Sequence, residues 1–487
     1  MEAKIGKISE ISTLCDEKSR LCSILYRLYR RFDLGRILYD CGMEKCQGVP
    51  VKALLLCLLV IRFCGGSVRS ASQCGYWGLL ACRGKDSLYR LLNRSGMDWR
   101  RLLHACFLAF RKICLNESMH TPTHSSAPAC LVFDDTLLAK TGKFIEGVSK
   151  VFDHVENRVR LGYKLLGMLY FDGVSSVMVD FSLHRELGKG KRGGLSPKEW
   201  RRQYRPKRKV GSADWKRKRE LDMGKMNKVF EMLKLARRMK LPFKYVLTDS
   251  WFTNSKLLAW VMKLWHGEVH VIGLCKMNST QYEVGGKLMK LPQIKALKGH
   301  CSRHYCRALK SSYITANAKW GGIPVKLFFI HYERQGRWTL LLTTDTKLTF
   351  KRAFDIYGIR WNIEVVWKDC KQYLELGSYQ GRNLNGQIAD CTMAFIAHAM
   401  LTLEKRFTEY ESMGELYREV EAQVRMLTLW ERILPLLYKL MAVTAGRETE
   451  NGDGSPKKLP AERELLTFFQ YADSQHRKSG NEDVDAS

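Results

Sequence analysis

Residues 349–383 read TFKRAFDIYGIRWNIEVVWKDCKQYLELGSYQGRN and decide the fold of this chain. The segment is rich in good helix formers and contains no proline, so it predicts a helix. Ile363, Val366 and Leu374 can then face a core. At ~100° per residue, four polar side chains share an arc of roughly 60°. These residues are Tyr357, Arg360, Glu364 and Lys371.

The polar stripe has two interpretations. Arg360 and Glu364 are four residues apart, which is typical of a salt-bridged helix surface. Alternatively, a carboxylate that binds a divalent cation, beside cations that hold phosphates, is what phosphoryl transfer on nucleic acid requires. Two acidic strand ends upstream and the positive charge of the chain favour the second interpretation.

The net charge of the chain is +32 over 487 residues. A charge of this size indicates a polyanionic partner, either nucleic acid or an anionic membrane surface. The length suits two to four domains, and the hydrophobic content of 45% suits a sizeable core. That core argues against a purely packaging protein.

No segment predicts export or membrane insertion. The first 20 residues are mixed in charge and lack the apolar run of a secretory signal. The most apolar stretch, Ala53 to Ile61, is closed by charged residues and is too short to span a bilayer. We therefore expect a cytoplasmic protein whose 16 cysteines are reduced and mostly buried.

Two short apolar strands end in acidic residues. The strand at 130–133 leads into DDT at 134–136, and the strand at 244–248 leads into Asp249. A polar turn explains one such case. Its repetition, with Glu364 downstream, predicts three carboxylates that bind Mg²⁺ or Mn²⁺. Two ions about 3.5–4 Å apart can activate an attacking oxygen and stabilise a leaving one.

The spacing Tyr-x2-Arg-x3-Glu-x6-Lys at 357–371, together with the two Asp motifs, resembles a known signature. It is that of the bacterial DDE insertion-sequence transposases of the insertion-sequence-four type, which carry a Tyr-Arg-Glu-Lys motif. The resemblance covers roughly residues 128–400. It implies a ribonuclease H-like fold with Asp134, Asp249 and Glu364 as catalytic and metal-binding residues. The D-x-T form favours Asp134 as the first ligand, and the doubled acid leaves Asp135 open.

The resemblance also implies an activity and partners. The activity is metal-dependent cleavage and strand transfer, in which water cuts one strand and the freed 3′-hydroxyl attacks the opposite strand or the target. Arg360 and Lys371 would hold phosphates, and Tyr357 would donate a hydrogen bond to one. The partners would be the terminal inverted repeats of an element, target DNA and a second copy in a homodimer on the bacterial nucleoid. Excision can pass through a DNA hairpin, and no small-molecule cofactor or membrane is expected.

The order of strands and helices predicts an α/β protein. Residues 1–120 form a helical region expected to bind DNA ends, and KDSLYRLLNRSG is a weak recognition-helix candidate. The segment at 140–158 is expected to be a loop or flap. The remaining segments are 121–275, the first part of the catalytic core; 276–346, a β-rich insertion; 347–410, the second part of the core; 411–445, C-terminal helices; and 446–487, a polar, partly disordered tail.

Residues 185–219 carry 15 Lys or Arg against three acids, with aromatic residues interleaved. Such runs are usually solvated, and often disordered without a partner. The aromatic residues favour contact with nucleic acid through stacking and phosphate pairing. The expected contacts to the DNA backbone are Arg201, Arg202, Arg205, Lys207, Arg208 and Lys209. The resemblance adds Trp338, which would stack on a flipped base, although a strand tryptophan in a small core is equally compatible.

Three hypotheses about function follow. The first is an active transposase, and the second is a ribonuclease H-like endonuclease without strand transfer. The third is a non-catalytic DNA-binding remnant, against which the presence of all three carboxylates, Arg360 and Lys371 argues. Joined products after incubation with DNA ends and target would separate the first two.

Overall fold

The computed structural model describes residues 24–44, 48–64, 67–69, 85–118, 127–153, 156–188, 193–297, 303–332 and 337–425. All of the described residues belong to one compact unit, which spans residues 1–427. The predicted polar tail lies outside the described residues. The predicted C-terminal helices are helical over 413–425, and the rest of them also lies outside.

The described N-terminal part is helical. Its helices are α1 (Ile24–Arg31), α2 (Leu34–Asp40), α3 (Val51–Phe63), α4 (Lys85–Asn93) and α5 (Trp99–Ser118). The apolar run of α3 is buried over most of its length, as its composition predicts. The recognition-helix candidate α4 is amphipathic and buries Leu88, Leu91 and Leu92, because these residues recur at helical spacing.

Four strands build the first half of the central sheet: β1 (Cys130–Ala139), β2 (Ser149–Asp153), β3 (Arg158–Phe171) and β4 (Ser176–His184). β3 lies antiparallel to β1 over the whole length of β1. On its other edge, β3 pairs first with β2 and then with β4. The chain turns between β3 and β4 at Asp172-Gly173, with Gly173 at a φ of +104°.

The expectation of a loop or flap at 140–158 is wrong in part. Residues Ser149–Asp153 form β2, which pairs with the first residues of β3. Glu146, just before this strand, is 1% exposed. Alternate residues of β2 are buried. A strand at the edge of a sheet needs few apolar positions, so the charged composition of the segment did not indicate a strand.

The second half of the sheet begins with two parallel strands. Helices α6 (Pro197–Arg201), α7 (Ala213–Glu220) and α8 (Lys225–Arg238) lead to β5 (Tyr245–Thr248), and α9 (Ser255–Trp265) leads to β6 (His270–Cys275). β5 runs parallel to β1, and β6 runs parallel to β5. The local strand order is therefore β4-β3-β1-β5-β6, and the carboxyl ends of three neighbouring strands meet at one edge of the sheet.

The region expected to be β-rich extends the same sheet. Its elements are β7 (Gln281–Val284), β8 (Lys287–Lys290), α10 (Leu291–Lys295), β9 (Arg303–Cys306), β10 (Ser311–Trp320), β11 (Ile323–Tyr332) and β12 (Arg337–Thr343). β12 pairs with β6 on one side and with β11 on the other. Hydrogen bonding is therefore continuous from the first half of the sheet into this region.

The single helix predicted over 349–383 is interrupted. The structure has α11 (Phe350–Gly358), a 3₁₀ turn (Ile359–Trp361) and α12 (Asn362–Gln372). The break directly follows Gly358, the last residue of α11. Glycine weakens an α-helix, which explains why the helix is interrupted here. The chain leaves the helical region after Gln372, and Gly377 adopts a φ of +89°.

Helix α13 (Leu384–Arg406) is buried from Leu384 to Glu404. Helices α3, α4, α5 and α12 pack on it, and so does β4. Arg100 of α5 further ties the helices to the sheet through a 2.8 Å ion pair with Asp180 of β4. The described N-terminal helices therefore share one core with the sheet. Among the described helices, none is long and apolar enough to cross a membrane.

Candidate active site

The first two predicted carboxylates lie side by side. β1 and β5 are in register up to Phe133 and Thr248. Asp134 and Asp249 follow these residues on neighbouring strands, whose backbones are about 4.8 Å apart. The N–H groups of Trp251 and Phe252 donate to Oδ1 of Asp249 at 2.9 and 3.1 Å. These two bonds fix the second carboxylate at the edge of the sheet.

The glycine opposite Asp134 lets the signature helix approach. Asp134 pairs with Gly167 of β3, and paired residues point to the same face of a sheet. A Cβ on Gly167 would lie 2.6 Å from the Trp367 ring of α12. Helix α12 therefore covers the face towards which Asp134 points.

Asp135 points to the other face, because side chains alternate along a strand. Its Oδ1 lies 3.0 Å from Nζ of Lys225 in α8. The same ammonium sits 3.9 Å from the centre of the Trp251 ring. Of the two adjacent acids, Asp134 thus faces the helix that carries Glu364, whereas Asp135 has a cationic partner on the opposite side.

Arg360 lies between two of the predicted ligands. Its Nη2 is 2.5 Å from Oε1 of Glu364, and its Nη1 is 3.6 Å from Oδ2 of Asp134. The ring of Tyr357 lies 5.7 Å from the guanidinium carbon. The Tyr357 hydroxyl is buried and has no hydrogen bond of normal geometry to a described residue. Burial raises the pKa of Tyr357, so the hydroxyl stays a proton donor at neutral pH.

Lys371, the last residue of the motif, reaches the DDT sequence from the far end of α12. Its Nζ donates to Oγ1 of Thr136 at 2.7 Å. The break in the helix therefore leaves the predicted grouping intact: the guanidinium lies beside Asp134 and the ammonium lies two residues further along β1.

Burial raises the pKa of the Asp134 carboxyl to about 7, and the nearby charges of Asp249 and Asp135 add to the rise. The N–H of Asp135 and the guanidinium of Arg360 oppose it. The site thus disfavours the isolated negative charge of Asp134. A positive ion at this carboxylate would relieve that penalty.

The donor atoms fit a hard divalent cation in their chemistry, because all three candidate ligands supply carboxylate oxygen. Within the described part of the chain, however, no three acidic, histidine or cysteine side chains stand close enough to hold one ion together. The guanidinium of Arg360 lies where Asp134 and Glu364 approach each other. For all three residues to hold one ion, Glu364 would have to give up its ion pair with Arg360.

We expect Asp134→Asn to stabilise the metal-free protein at pH 8, by on the order of 2 kcal/mol. The folded-state pKa of Asp134 is raised from its ordinary value to about 7. Its unfavourable contribution is therefore absent below the unfolded pKa of about 4, grows as the pH rises, and is complete above about 7. Urea unfolding in EDTA at pH 8 and pH 5 measures the effect. A gain of equal size at both pH values contradicts it.

The described part of the basic segment contains α6 and most of α7, and its cations fall into two groups. The Arg208 side chain is buried. Its guanidinium donates hydrogen bonds of 2.5 and 2.7 Å to the two carboxylate oxygens of Glu146. Asp214 lies 3.3 Å from its Nε. Arg208 is therefore not available as a surface contact, and we leave it out of the proposed DNA surface. The exposed predicted contacts are Arg201, Arg202, Arg205, Lys207 and Lys209.

Arg208→Ala is expected to destabilise the fold by about 3 kcal/mol, because it leaves a buried carboxylate without its main partner. Arg205→Ala, three residues away and exposed, is expected to change stability by less than about 0.5 kcal/mol. Denaturant unfolding of the two variants measures the contrast. Equal stability of both would show that the Glu146 pair does not hold the segment in place.

Trp338 lies on β12 at the same edge of the sheet as Asp134 and Asp249. The Nζ of Lys295 is 4.3 Å from the centre of its ring, and the His331 ring lies 4.9 Å away. The ring is partly buried. Its predicted stacking on a flipped base stays a prediction.

Sequence reasoning missed three residues that shape the site. Gly167 and Trp367 set the approach of α12, and Lys225 neutralises Asp135. Gly167 has a signal in the sequence, since a glycine inside an apolar strand marks close approach of another element. The partners of Lys225 and Trp367 come from distant segments and have no such signal.

Comparison with known proteins supports the interpretation of this chain as a nuclease. A protein-family model described as DDE superfamily endonuclease matches residues 69–319, which is just over half of the chain. The match includes Asp134 and Asp249 and ends before Glu364. No curated protein matches the chain.

Proposed function

Because the chain belongs to the DDE superfamily of endonucleases, we propose that it is a transposase of the insertion-sequence-four type. It would cleave the ends of a mobile element and join them to target DNA. The observation that carries the proposal is the Arg360 guanidinium, which contacts both Glu364 and Asp134. Asp249 lies on the neighbouring strand.

The proposed core is ribonuclease H-like. The strand order β4-β3-β1-β5-β6, with β4, β3 and β1 antiparallel and β5 and β6 parallel to β1, supports it. When these five strands are taken in chain order, Asp134 stands on the first, β1, and Asp249 directly follows the fourth, β5. Glu364 stands on a late helix. The strands from β7 to β12 would be the insertion that the family places before the Glu.

In the proposed reaction Asp134, Asp249 and Glu364 hold Mg²⁺ or Mn²⁺ ions, and two ions suit the in-line displacement at phosphorus. When bound, the metal supplies activation of the attacking oxygen and stabilisation of the leaving oxygen. The chain supplies a rigid base for this chemistry. The two aspartates stand on hydrogen-bonded strands, and α12 is held against them by the packing of Trp367 at Gly167.

The cations of the motif would hold the scissile DNA. With Glu364 among the residues that would hold the metal, Arg360 would be free to bind a phosphate with two parallel hydrogen bonds. Lys371, beside Thr136, would hold a neighbouring phosphate as a point charge. The Tyr357 hydroxyl would donate to a phosphate oxygen. No covalent bond between enzyme and DNA is needed.

DNA is the proposed partner, in the form of the terminal inverted repeats of the element and the target. The exposed cations of the basic segment would contact the backbone without reading sequence. Trp338 would stack on a base at the cleavage site. A homodimer would pair the two ends, and the protein would act on the bacterial nucleoid.

The experiment that tests the proposal incubates the protein with linear DNA that carries the ends of its element, a supercoiled target plasmid and Mg²⁺ or Mn²⁺. We expect cleavage at the ends and covalently joined end–target products. Cleavage without joined products would identify an endonuclease without strand transfer. End binding with neither product would identify a DNA-binding remnant.

A further inference from the structure

A cavity of about 860 Å³ opens outside the active site. It lies between α3, α4, Tyr204 of the basic segment and the loop that follows α12. Its volume is within the range of ligand-binding pockets. None of the catalytic or motif residues lines it, so the proposed chemistry leaves the cavity unexplained.

Three tyrosines line the cavity: Tyr89, Tyr204 and Tyr379. The Tyr379 hydroxyl donates to Oδ1 of Asn93 at 3.3 Å, which fixes that side chain against α4. Tyr204 is 43% exposed and follows two exposed arginines in sequence. Aromatic faces of this kind are what an unstacked nucleic-acid base binds.

Cations in the cavity suit a phosphate. Arg69 and Arg382 line it, are exposed, and form no ion pair with any residue that the structure describes. Of the two acids in the lining, Asp390 is paired with the buried Arg62, which leaves Glu375. The excess of charge in the lining is therefore positive.

An amide in the cavity can read the edge of a base. Oε1 of Gln380 accepts from the backbone N–H and the hydroxyl of Thr141 at 3.3 and 3.2 Å. These contacts orient the amide, and its N–H₂ makes no hydrogen bond to a described residue. Stacking surfaces, cations and an oriented donor together are the chemistry of a nucleotide site.

The cavity is joined to the active site through β1. Lys140 follows this strand, and its Nζ donates to the carbonyl oxygens of Gly377 and Tyr379 at 2.6 and 2.8 Å. Lys140 is six residues beyond Asp134, which is roughly 20 Å along an extended strand. The wall of the cavity at Tyr379 therefore lies within the length of a few nucleotides from the carboxylates.

We propose that this cavity binds an unpaired nucleotide of the DNA that occupies the active site. The base stacks on the tyrosines, and its phosphate pairs with Arg382 and Arg69. The inference rests on the proposed function and narrows its substrate to DNA that is locally single-stranded beside the cleaved end.

The test compares the binding of two oligonucleotide substrates by fluorescence anisotropy in EDTA at fixed salt. One is a blunt duplex, and the other is the same duplex with an unpaired end that carries 2-aminopurine. We expect the wild type to bind the forked DNA about 10-fold tighter and to quench the 2-aminopurine on binding. Tyr204→Ala and Arg382→Gln each remove most of this preference, and Tyr204→Phe retains it.

The matched control is Arg201→Gln, which removes an exposed cation of the same segment outside the cavity lining. It lowers the affinity for both substrates by the same factor. An unchanged ratio of affinities in Arg382→Gln overturns the proposal. Tight binding of free dAMP, without preference for forked DNA, also overturns it and assigns the cavity to a free nucleotide. Failure to bind either DNA would overturn the proposed function itself.

Discussion

Glu364→Gln is expected to lower the rate of DNA cleavage by at least about 10³-fold, since a metal site in phosphoryl transfer supplies several kcal/mol of transition-state stabilisation. The amide keeps the shape of the side chain and loses the charge that ligates a cation. It also loses the ion pair with Arg360, so that guanidinium becomes available to a phosphate. DNA binding should therefore persist or strengthen.

Single-turnover cleavage and anisotropy, both in Mg²⁺, measure the two effects of Glu364→Gln separately. Glu409→Gln is the control, because Glu409 is exposed on the chain after α13. Cleavage by Glu364→Gln within tenfold of the wild type would remove Glu364 from the site. Loss of binding together with cleavage would point to a structural role.

The adjacent acids Asp134 and Asp135 are expected to differ sharply. Asp134→Asn should lose at least about 10³-fold in cleavage, because this carboxylate faces α12 and Glu364. Asp135→Asn should lose less than about 10-fold, because its partner is Lys225 on the other face, and Lys225 keeps its contact with Trp251. The two residues are adjacent and receive the same substitution. The comparison therefore isolates the effect of the sheet face to which each carboxylate points.

Cleavage assays on both Asp→Asn variants, after circular dichroism confirms their fold, decide the assignment. If Asp135→Asn is inactive and Asp134→Asn is active, the first ligand is Asp135. The Asp135 side chain must then turn to the face of α12 when DNA binds. If both are inactive, Lys225 has a role in catalysis that its ion pair with Asp135 maintains.

Local pattern was enough to predict much of the site. The two Asp residues meet because each directly follows a short buried run, and the two runs pair in parallel. The predicted strand end at residue 133 is wrong, because β1 continues through Asp134 to Ala139, where it still pairs with β3. The approach of Arg360 to Glu364 follows from helical spacing. The interruption at Gly358 was visible as a glycine, yet its effect depends on how the following residues pack against the sheet.

Features built from distant segments could not be predicted. Arg208 belongs to a basic run, and its buried partner Glu146 is 62 residues away. Such a pairing is decided by tertiary packing, and composition alone assigns the residue to the surface. The tyrosine-lined cavity draws its walls from four separate parts of the chain, so no window of sequence contains it.

The most direct test of the central claim, that Asp134, Asp249 and Glu364 form one metal site, is a titration with Mn²⁺ followed by electron paramagnetic resonance. Wild type and Asp249→Asn are compared with DNA bound. The claim predicts saturable Mn²⁺ binding by the wild type and at least about 10-fold weaker binding by the variant. Equal binding by both proteins would contradict it.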